Sequence, residues 1–319
     1  MVKAMKLDII IPAYNAHDTI DITLNSIMNQ KEIDDFQVIL VNDCSNHDYS
    51  EFVKKYSIYF PIQEVKTKVN GGPGVARNVG MENSSSPYIV FIDSDDYFVG
   101  EFALIHLYNK IVETNSDLVI GDFIYERDQE RLVKTHNYVW LHGKIFKRAF
   151  LENHHISFNN SRANEDNGFV RLIFLLNAKI EFLEEVTYCY HENPNSITRR
   201  NNRLYGFTGL EGFSYNMCWA LEEALKRGAD KHFLVSNTMN FLVTMYFYYM
   251  EYDGKYDIEK IINWSKNLLD FYERFPDYQL TNDTIQFFVN IKRQQYIDSN
   301  TPYHDFLSIH EFIQKIKDR

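Results

Sequence analysis

Short apolar, β-branched runs alternate with longer amphipathic segments through the first half of the chain. Leu7 to Ile11, Gln37 to Val41 and Ile62 to Lys66 predict strands, and the segments between them predict helices near Ala16 to Gln30 and Tyr49 to Tyr56. A helix near Gly74 to Met81 opens after a glycine-rich turn. Tyr88 to Ile92 is a further apolar strand, and Phe102 to Thr114 predicts a helix returning to a strand at Asp117 to Gly121. Strand-length apolar runs separated by helical spacing mark βαβ units, in which a mostly parallel, doubly wound α/β sheet is covered on both faces. Ligands bind such sheets at the carboxyl ends of the strands, so the residues that follow each run are the ones to watch.

From Tyr125 to Arg203 the pattern is more broken, with a helical stretch at Gly168 to Asn177 and a strand-like Glu185 to Tyr190 before the polar turn Asn193-Pro194-Asn195-Ser196. This reads as the second half of the same domain. After about Leu204 the pattern is helical, rich in Tyr and Phe, with only Pro276 and Pro302 to interrupt it. The expected division is therefore residues 1–203 and 204–319. Phe233 to Met250 is the most apolar later segment, but Ser236, Asn237, Thr238, Asn240 and Thr244 would be costly in hydrocarbon, so it predicts a buried helix and no transmembrane segment. Its aromatic stripe, Phe241, Tyr246, Phe247, Tyr248, Tyr249 and Tyr252, suits a core; a homo-oligomer interface or an acceptor platform is the alternative.

Composition narrows the class. The 319 residues, 45% hydrophobic and 24% charged, are those of an ordinary globular protein. The net charge is −11, and the first 125 residues hold 9 Lys and Arg against 18 Asp and Glu, which argues against a nucleic-acid partner. No apolar stretch precedes the first strand, so no secretory signal is expected. Cys44, Cys189 and Cys218 have neither a disulfide framework nor a zinc-ligand spacing, and suit a reducing cytoplasm. Lys292-Arg293 and the basic residues within 315–319 are too sparse to establish binding to an anionic membrane, although peripheral attachment at its inner face stays open.

Three polar clusters each follow a strand: Pro12-Ala13-Tyr14-Asn15, Asn42-Asp43-Cys44-Ser45 and Asp93-Ser94-Asp95-Asp96. The third brings three carboxylates to one strand end, where repulsion is costly without a cation; a hard divalent ion bridging to phosphate is its natural partner, and a solvated acidic turn is the plain alternative. Between the second and third clusters lies Asn70-Gly71-Gly72-Pro73-Gly74-Val75-Ala76-Arg77-Asn78-Val79-Gly80. Its glycines allow close backbone approach, and Arg77 brings a donor fork to a helix start, where an anion or a base carbonyl can be read.

In this order the motifs resemble the family 2 glycosyltransferases, which have the GT-A nucleotide-sugar fold. The matching segments are I-I-I-P-A-Y-N at 9–15, V-N-D-C-S at 41–45, N-G-G-P-G-V-A-R-N-V-G at 70–80 and F-I-D-S-D-D at 91–96. A-N-E-D-N-G-F at 163–169 resembles the acceptor-side motif, and Y-C-Y-H-E-N-P-N-S-I-T at 188–198 the segment that follows it. The resemblance implies that Pro12, Ala13, Tyr14 and Asn15 wall a nucleotide pocket and that Asp43 accepts from a uracil N–H. It implies that Asn70, Gly72, Arg77 and Asn78 approach the base or diphosphate, and Asp93 and Ser94 the ribose. Asp95 would hold Mn²⁺ or Mg²⁺, Asp96 would lie near the transferred sugar or the acceptor, and Asp166 would be the general base with Glu165 beside it. Asn42 and Cys44 depart from the family's usual Asp and Gly, and Cys44 is expected to be a small buried residue.

The activity so implied is metal-dependent, inverting transfer from a nucleotide-sugar, a UDP-sugar by the motif pattern, to a glycan, polymer or protein acceptor in bacterial surface-glycan synthesis. Residues 1–203 would be the catalytic domain, and 204–319 would serve acceptor binding or oligomerisation. Asp166 also suits a helix N-terminus, where a carboxylate is stabilised regardless of catalysis. Trp140, His142 and Lys144 are candidates for an acceptor groove, with packing the alternative for Trp140; His191 is a candidate to approach the metal or phosphates, or a structural histidine. A nucleotidyltransferase and a non-catalytic glycan-binding scaffold on the same fold are the competing readings.

Overall fold

The computed structural model describes residues 6–127, 129–193, 205–251 and 258–319. Residues 194–196 of the expected polar turn, the expected boundary at 203/204 and Tyr252 lie outside them. The chain forms two compact units, Met1–Tyr205 and Gly206–Arg319.

The first unit is built on one mixed sheet. β1 (Leu7–Ala13), β2 (Phe36–Asn42), β3 (Ile62–Lys66) and β4 (Tyr88–Phe91) run parallel in the order β3-β2-β1-β4. They alternate with α1 (Ile20–Met28), α2 (Ser50–Tyr56) and α3 (Pro73–Glu82). All seven residues of β1 are buried, as expected of a strand covered on both faces. α1 starts four residues later than the spacing predicts, because Ala16 to Thr19 form a turn in which the Ala16 carbonyl accepts from the N–H groups of Thr19 and Ile20.

Beyond β4 the sheet continues through β5 (Tyr97–Phe98), β6 (Leu118–Arg127), β7 (Glu130–Lys134), β8 (Lys144–Lys147) and β9 (Ile180–Tyr190), in the order β4-β8-β6-β9-β5 with β7 hairpinned onto β6. β8 runs antiparallel to both neighbours, whereas β6 and β9 are parallel. α4 (Ala103–Thr114) buries Leu104, Leu107 and Ile111 in the same core as Val90, Val119 and Ile145. α5 (Arg148–Asn153) and α6 (Glu165–Leu175) complete this half.

The second unit contains α7 (Tyr205–Lys226), α8 (Lys231–Glu251), α9 (Glu259–Glu273), α10 (Asn282–Asp298) and α11 (Ile309–Lys317). α8 is buried around most of its circumference, including Phe241, Tyr246, Phe247 and Tyr249. Its interrupting polar residues bond back one turn, Thr238 Oγ1 to the Leu234 carbonyl at 2.8 Å and Asn237 Nδ2 to the Phe233 carbonyl at 2.9 Å. The aromatic stripe is core: Tyr246 and Tyr249 both pack on Phe312, and the Tyr246 hydroxyl donates to the Leu307 carbonyl. Among the described residues no helix is long and apolar enough to cross a membrane.

Candidate active site

The parallel strands deliver the three clusters to one sheet edge. β1 and β2 are paired to their last residues, Ala13 opposite Asn42, and the Asp43 N–H donates to the Ala13 carbonyl. Asn15, at φ 50°, ties the two loops together: its N–H donates to Ser45 Oγ, and its side-chain oxygen accepts from the Asn46 N–H, both at 2.9 Å. Pro12 and Ala13 are buried, whereas Tyr14, 51% exposed, and Asn15 are the exposed part of this cluster. Asn42 holds the next turn, its side-chain oxygen accepting from the Ser45 N–H. Cys44 is exposed, not buried as expected, and its φ is +60°. That is a conformation glycine adopts without steric cost, which explains the family's usual Gly there.

Asp43 is buried and carries the glycine-rich loop. Its Oδ1 accepts from Thr67 Oγ1 at 2.8 Å and from the Gly71 N–H at 3.0 Å, and its Oδ2 from the Gly72 N–H at 2.8 Å. The carboxylate expected to read a uracil N–H is thus first an internal anchor. Gly72 has φ +87° and caps α3, and Asn70 is held by Arg162. Asn78 does not offer its amide to a nucleotide as expected: Nδ2 donates to the Phe158 carbonyl and Oδ1 accepts from the Phe158 N–H, both at 2.8 Å. Gly74 lies where a Cβ would come within 2.9 Å of Glu165 Cγ, so α3 and the start of α6 approach only because no side chain intervenes.

Arg77 joins the acidic turn after β4 to the first turn of α6. Its guanidinium donates through Nη2 to Asp93 Oδ1 at 2.7 Å and through Nη1 to Glu165 Oε1 at 2.8 Å, with its face 5.5 Å from the Phe158 ring centroid. Burial opposes its charge, but Asp93 and Glu165 outweigh burial and hold its pKa above the usual value. The fork expected to meet an anion or a base is therefore engaged by carboxylates, and its buried Nε has no partner.

The acidic strand end is graded in depth. Asp93, Ser94 and Asp95 are half-buried, and Asp96 is fully buried. Burial raises the Asp93 pKa, but Arg77 overcomes it and keeps this carboxyl below the ordinary range. Asp95 is pushed up by burial and by Asp93, and its Oδ2 accepts from Asn193 Nδ2 at 2.7 Å. Asp96 is raised well above the usual value by burial and by both neighbours; Tyr188 Oη donates to its Oδ2 at 2.5 Å and the His191 N–H to its Oδ1 at 2.8 Å. Thr23 Oγ1 reaches the Asp96 and Asp93 carbonyls and fixes the loop from α1. His191 pairs through Nδ1 with Glu126 at 2.6 Å.

Asp93, Asp96 and His142 are the described acidic and histidine groups whose ligating atoms lie within 4.8 Å of one another; Asp95 is not among them. Yet Asp96 is engaged by Tyr188 and His191, Asp93 by Arg77, and His142 is buried between the rings of Tyr188 and Tyr190 with burial pulling its pKa down to about 3. This trio is the packed underside of the loop, whereas Asp95 is half-buried and is held by Asn193. Of the expected groove residues only Trp140 keeps exposed surface, stacked on Tyr125 at 6.0 Å; His142 and Lys144 are buried.

Glu165 and Asp166 form the first turn of α6, after Asn164 at φ +59°. Glu165 is buried against Arg77, whereas the Asp166 side chain accepts from the adjacent Asn167 N–H at 2.8 Å. Burial and the charge of Glu165 push Asp166 up to about 7 against the pull of Arg77. Sequence reasoning missed Thr23, Glu126 and Tyr188 here. Thr23 and Glu126 lie in no motif and are recruited by their places on α1 and β6; Tyr188 opens the 188–198 segment, but nothing in that segment gives its bond to Asp96.

The parallel strands, the loop threaded over their ends and the acidic turn after β4 together define a GT-A-type fold. Residues 8–163 match the sequence profile of "Glycosyl transferase family 2", and this part of the chain belongs to that family. It is 31% identical over 206 residues to poly(ribitol-phosphate) beta-glucosyltransferase of Bacillus spizizenii, covering 58% of this chain and 32% of that one. To poly(ribitol-phosphate) beta-N-acetylglucosaminyltransferase TarP of Staphylococcus aureus it is 28% identical over 216 residues, 62% of this chain and 65% of the other. The chain spans about a third to two thirds of the length of the curated relatives it matches. Its fold is similar to that of S. aureus TarS 1–349 in complex with UDP-GlcNAc, with a TM-score of 0.72 at 21% identity over 91% of this chain and 92% of that one.

Proposed function

We propose that the protein transfers a hexosyl or N-acetylhexosaminyl group from a UDP-sugar to a hydroxyl of a surface polymer, with poly(ribitol phosphate) the first acceptor to test. The names of the relatives and the UDP-GlcNAc bound to TarS support this choice of donor and acceptor. The observation that carries the reading is the cluster in which Arg77 binds Asp93 and Glu165 together and leaves Asp166 beside them with its pKa near neutrality. A base is most effective when its pKa lies near the working pH, where it is both ionised and able to hold a proton.

In this mechanism the first cluster and the glycine-rich loop enclose the nucleotide, with Pro12, Ala13, Tyr14 and Asn15 as wall and Gly72 allowing close approach. Asp43, Asn70 and Asn78 shape the loop, Asp93 and Ser94 border the ribose, and Asp96 stiffens the turn beneath the sugar. Three carboxylates within four residues, two of them raised by burial and mutual repulsion, fit a hard divalent cation at Asp95. When bound, Mn²⁺ or Mg²⁺ there neutralises the leaving diphosphate. Asp166 takes the proton of the acceptor hydroxyl as that oxygen attacks the anomeric carbon opposite the leaving group, with inversion. Acidity at the sheet edge disfavours nucleic acid, and three cysteines without a disulfide framework suit a reaction in a reducing cytoplasm.

The test is transfer from UDP-GlcNAc to poly(ribitol phosphate), read as UDP release and acceptor mass. Asp166→Asn is expected to lose at least about 10²-fold in turnover while keeping UDP affinity, the range for removal of a general base. Asp95→Asn is expected to lose Mn²⁺-dependent UDP binding as well. Near-normal transfer in Asp166→Asn defeats the base assignment, and pyrophosphate as the product defeats sugar transfer itself.

A further inference from the structure

Arg162 is an exposed cation to which the mechanism above gives no part. It lies in the turn before α6 and reaches across to the glycine-rich loop, where Nη1 donates to Asn70 Oδ1 at 3.2 Å and Nη2 to the Asn70 carbonyl at 3.0 Å. Its stem passes Gly72, where an added Cβ would lie 3.7 Å from Arg162 Cγ. The turn that carries it is closed by its own hydrogen bonds, from the Ser161 N–H to Asn159 Oδ1 at 2.9 Å and from Ser161 Oγ to the Ala163 carbonyl at 2.7 Å. The guanidinium is thus held between the loop that walls the proposed nucleotide pocket and the helix start that bears Asp166. Both partners of its fork are neutral carbonyl oxygens, and no carboxylate pairs with it among the described residues. Arg77 differs, because its charge is already matched by Asp93 and Glu165.

We propose that Arg162 is a phosphate-binding residue of this site: its guanidinium, set in place by Asn70, meets a phosphate of a ligand held between the glycine-rich loop and α6. A phosphate entering here passes Asp43, Asp93, Asp95 and Asp166, and like charges at close range are costly unless a cation offsets them. A guanidinium supplies both the charge and a planar fork that matches two phosphate oxygens. The inference rests on the reading of the site as one for a nucleotide-sugar, and adds a division of labour between its arginines: Arg77 braces the carboxylates, and Arg162 recognises the anion. Two phosphates reach this place in that reading, the diphosphate of the donor and the phosphodiester of the acceptor polymer. Both present the same oxygens to the fork, and binding measurements tell them apart.

The experiment is calorimetric titration of the full chain with UDP, uridine and inorganic pyrophosphate, each with Mg²⁺, in wild type and in Arg162→Met. Methionine keeps the stem over Gly72 and removes the charge and the donors, and at an exposed position the change leaves no cavity. For a donor contact, UDP and pyrophosphate affinity fall about tenfold or more in the variant while uridine affinity is unchanged, the range for loss of a hydrogen bond to a charged group. For an acceptor contact, UDP affinity is unchanged and the KM for poly(ribitol phosphate), read as UDP release, rises about tenfold or more while that for UDP-GlcNAc stays the same. Unchanged constants for donor and acceptor alike overturn the proposal. So does an equal loss of UDP and uridine affinity, which is what a purely structural hold on Asn70 produces. Should wild-type protein bind neither UDP nor uridine, the nucleotide reading fails, and pyrophosphate still decides on Arg162: weaker binding in the variant supports the anion contact, whereas equal binding, or none in wild type, overturns it.

Discussion

At the scale of single residues, the site depends on a few backbone positions as much as on its carboxylates. Cys44 holds φ +60° while exposed, so its side chain contributes conformational cost without burial in return. Glycine removes that cost, and a residue branched at Cβ enlarges it. We expect chemical denaturation to show Cys44→Gly within about 0.5 kcal/mol of the parent and Cys44→Val lower by about 1–2 kcal/mol; equal stability of the two variants would remove the backbone argument. The motif pattern exposes the substitution of Cys for Gly but not its consequence, because the sign of φ is set by how the turn is closed. Here it is closed by the Asn42 side chain, itself the other departure from the family pattern.

At the scale of elements, the parallel strands are legible because burial on both faces forces continuous apolar runs, as in β1, β2 and β4. β8 is not: it is four residues long, begins and ends with Lys, and its central Ile145-Phe146 is too short to mark a strand. α6 is legible in position and opaque in partners. Nothing in 163–169 says that Arg77 binds Glu165 and leaves Asp166 apart, since that choice arises from α3 passing α6 at Gly74. The arrangement has a cost that pH reveals. Asp166 ionises near its ordinary value of 3.8 in the unfolded chain but at about 7 when folded, so between these values the folded state binds more protons and stability falls as pH rises. Asparagine cannot ionise, so Asp166→Asn should gain on wild type by about 1.4 kcal/mol per pH unit across that window and hold the gain above pH 7. Urea denaturation at pH 5 and 7.5 checks this, and an equal difference at both values would show that Asp166 is not raised. A variant more stable than its parent and inactive is what a carboxylate kept for chemistry rather than for folding should yield.

At the scale of the whole molecule, the two units differ in what their sequences can disclose. The first carries ordered motifs at its strand ends, where the proposed site lies. The second carries only helical spacing and aromatic residues, which record burial around α8 and nothing about a partner. The proposed donor site, confined to the first unit, makes a spatially resolved prediction. Hydrogen exchange with UDP and Mn²⁺ present should slow in peptides covering 12–15, 43–45, 70–78 and 93–96, with α8 and α9 unchanged. Nucleotide binding stabilises only states that retain the site, so protection maps the elements whose opening disrupts it. The same exchange without Mn²⁺ separates the contributions: the glycine-rich loop, anchored internally by Asp43, should retain part of its protection, whereas 93–96 should lose it, because three clustered carboxylates repel a diphosphate unless a cation intervenes. Protection spreading into α7–α11 would instead give the helical unit a share in donor binding, and equal protection of 93–96 with and without Mn²⁺ would remove the cation from the site.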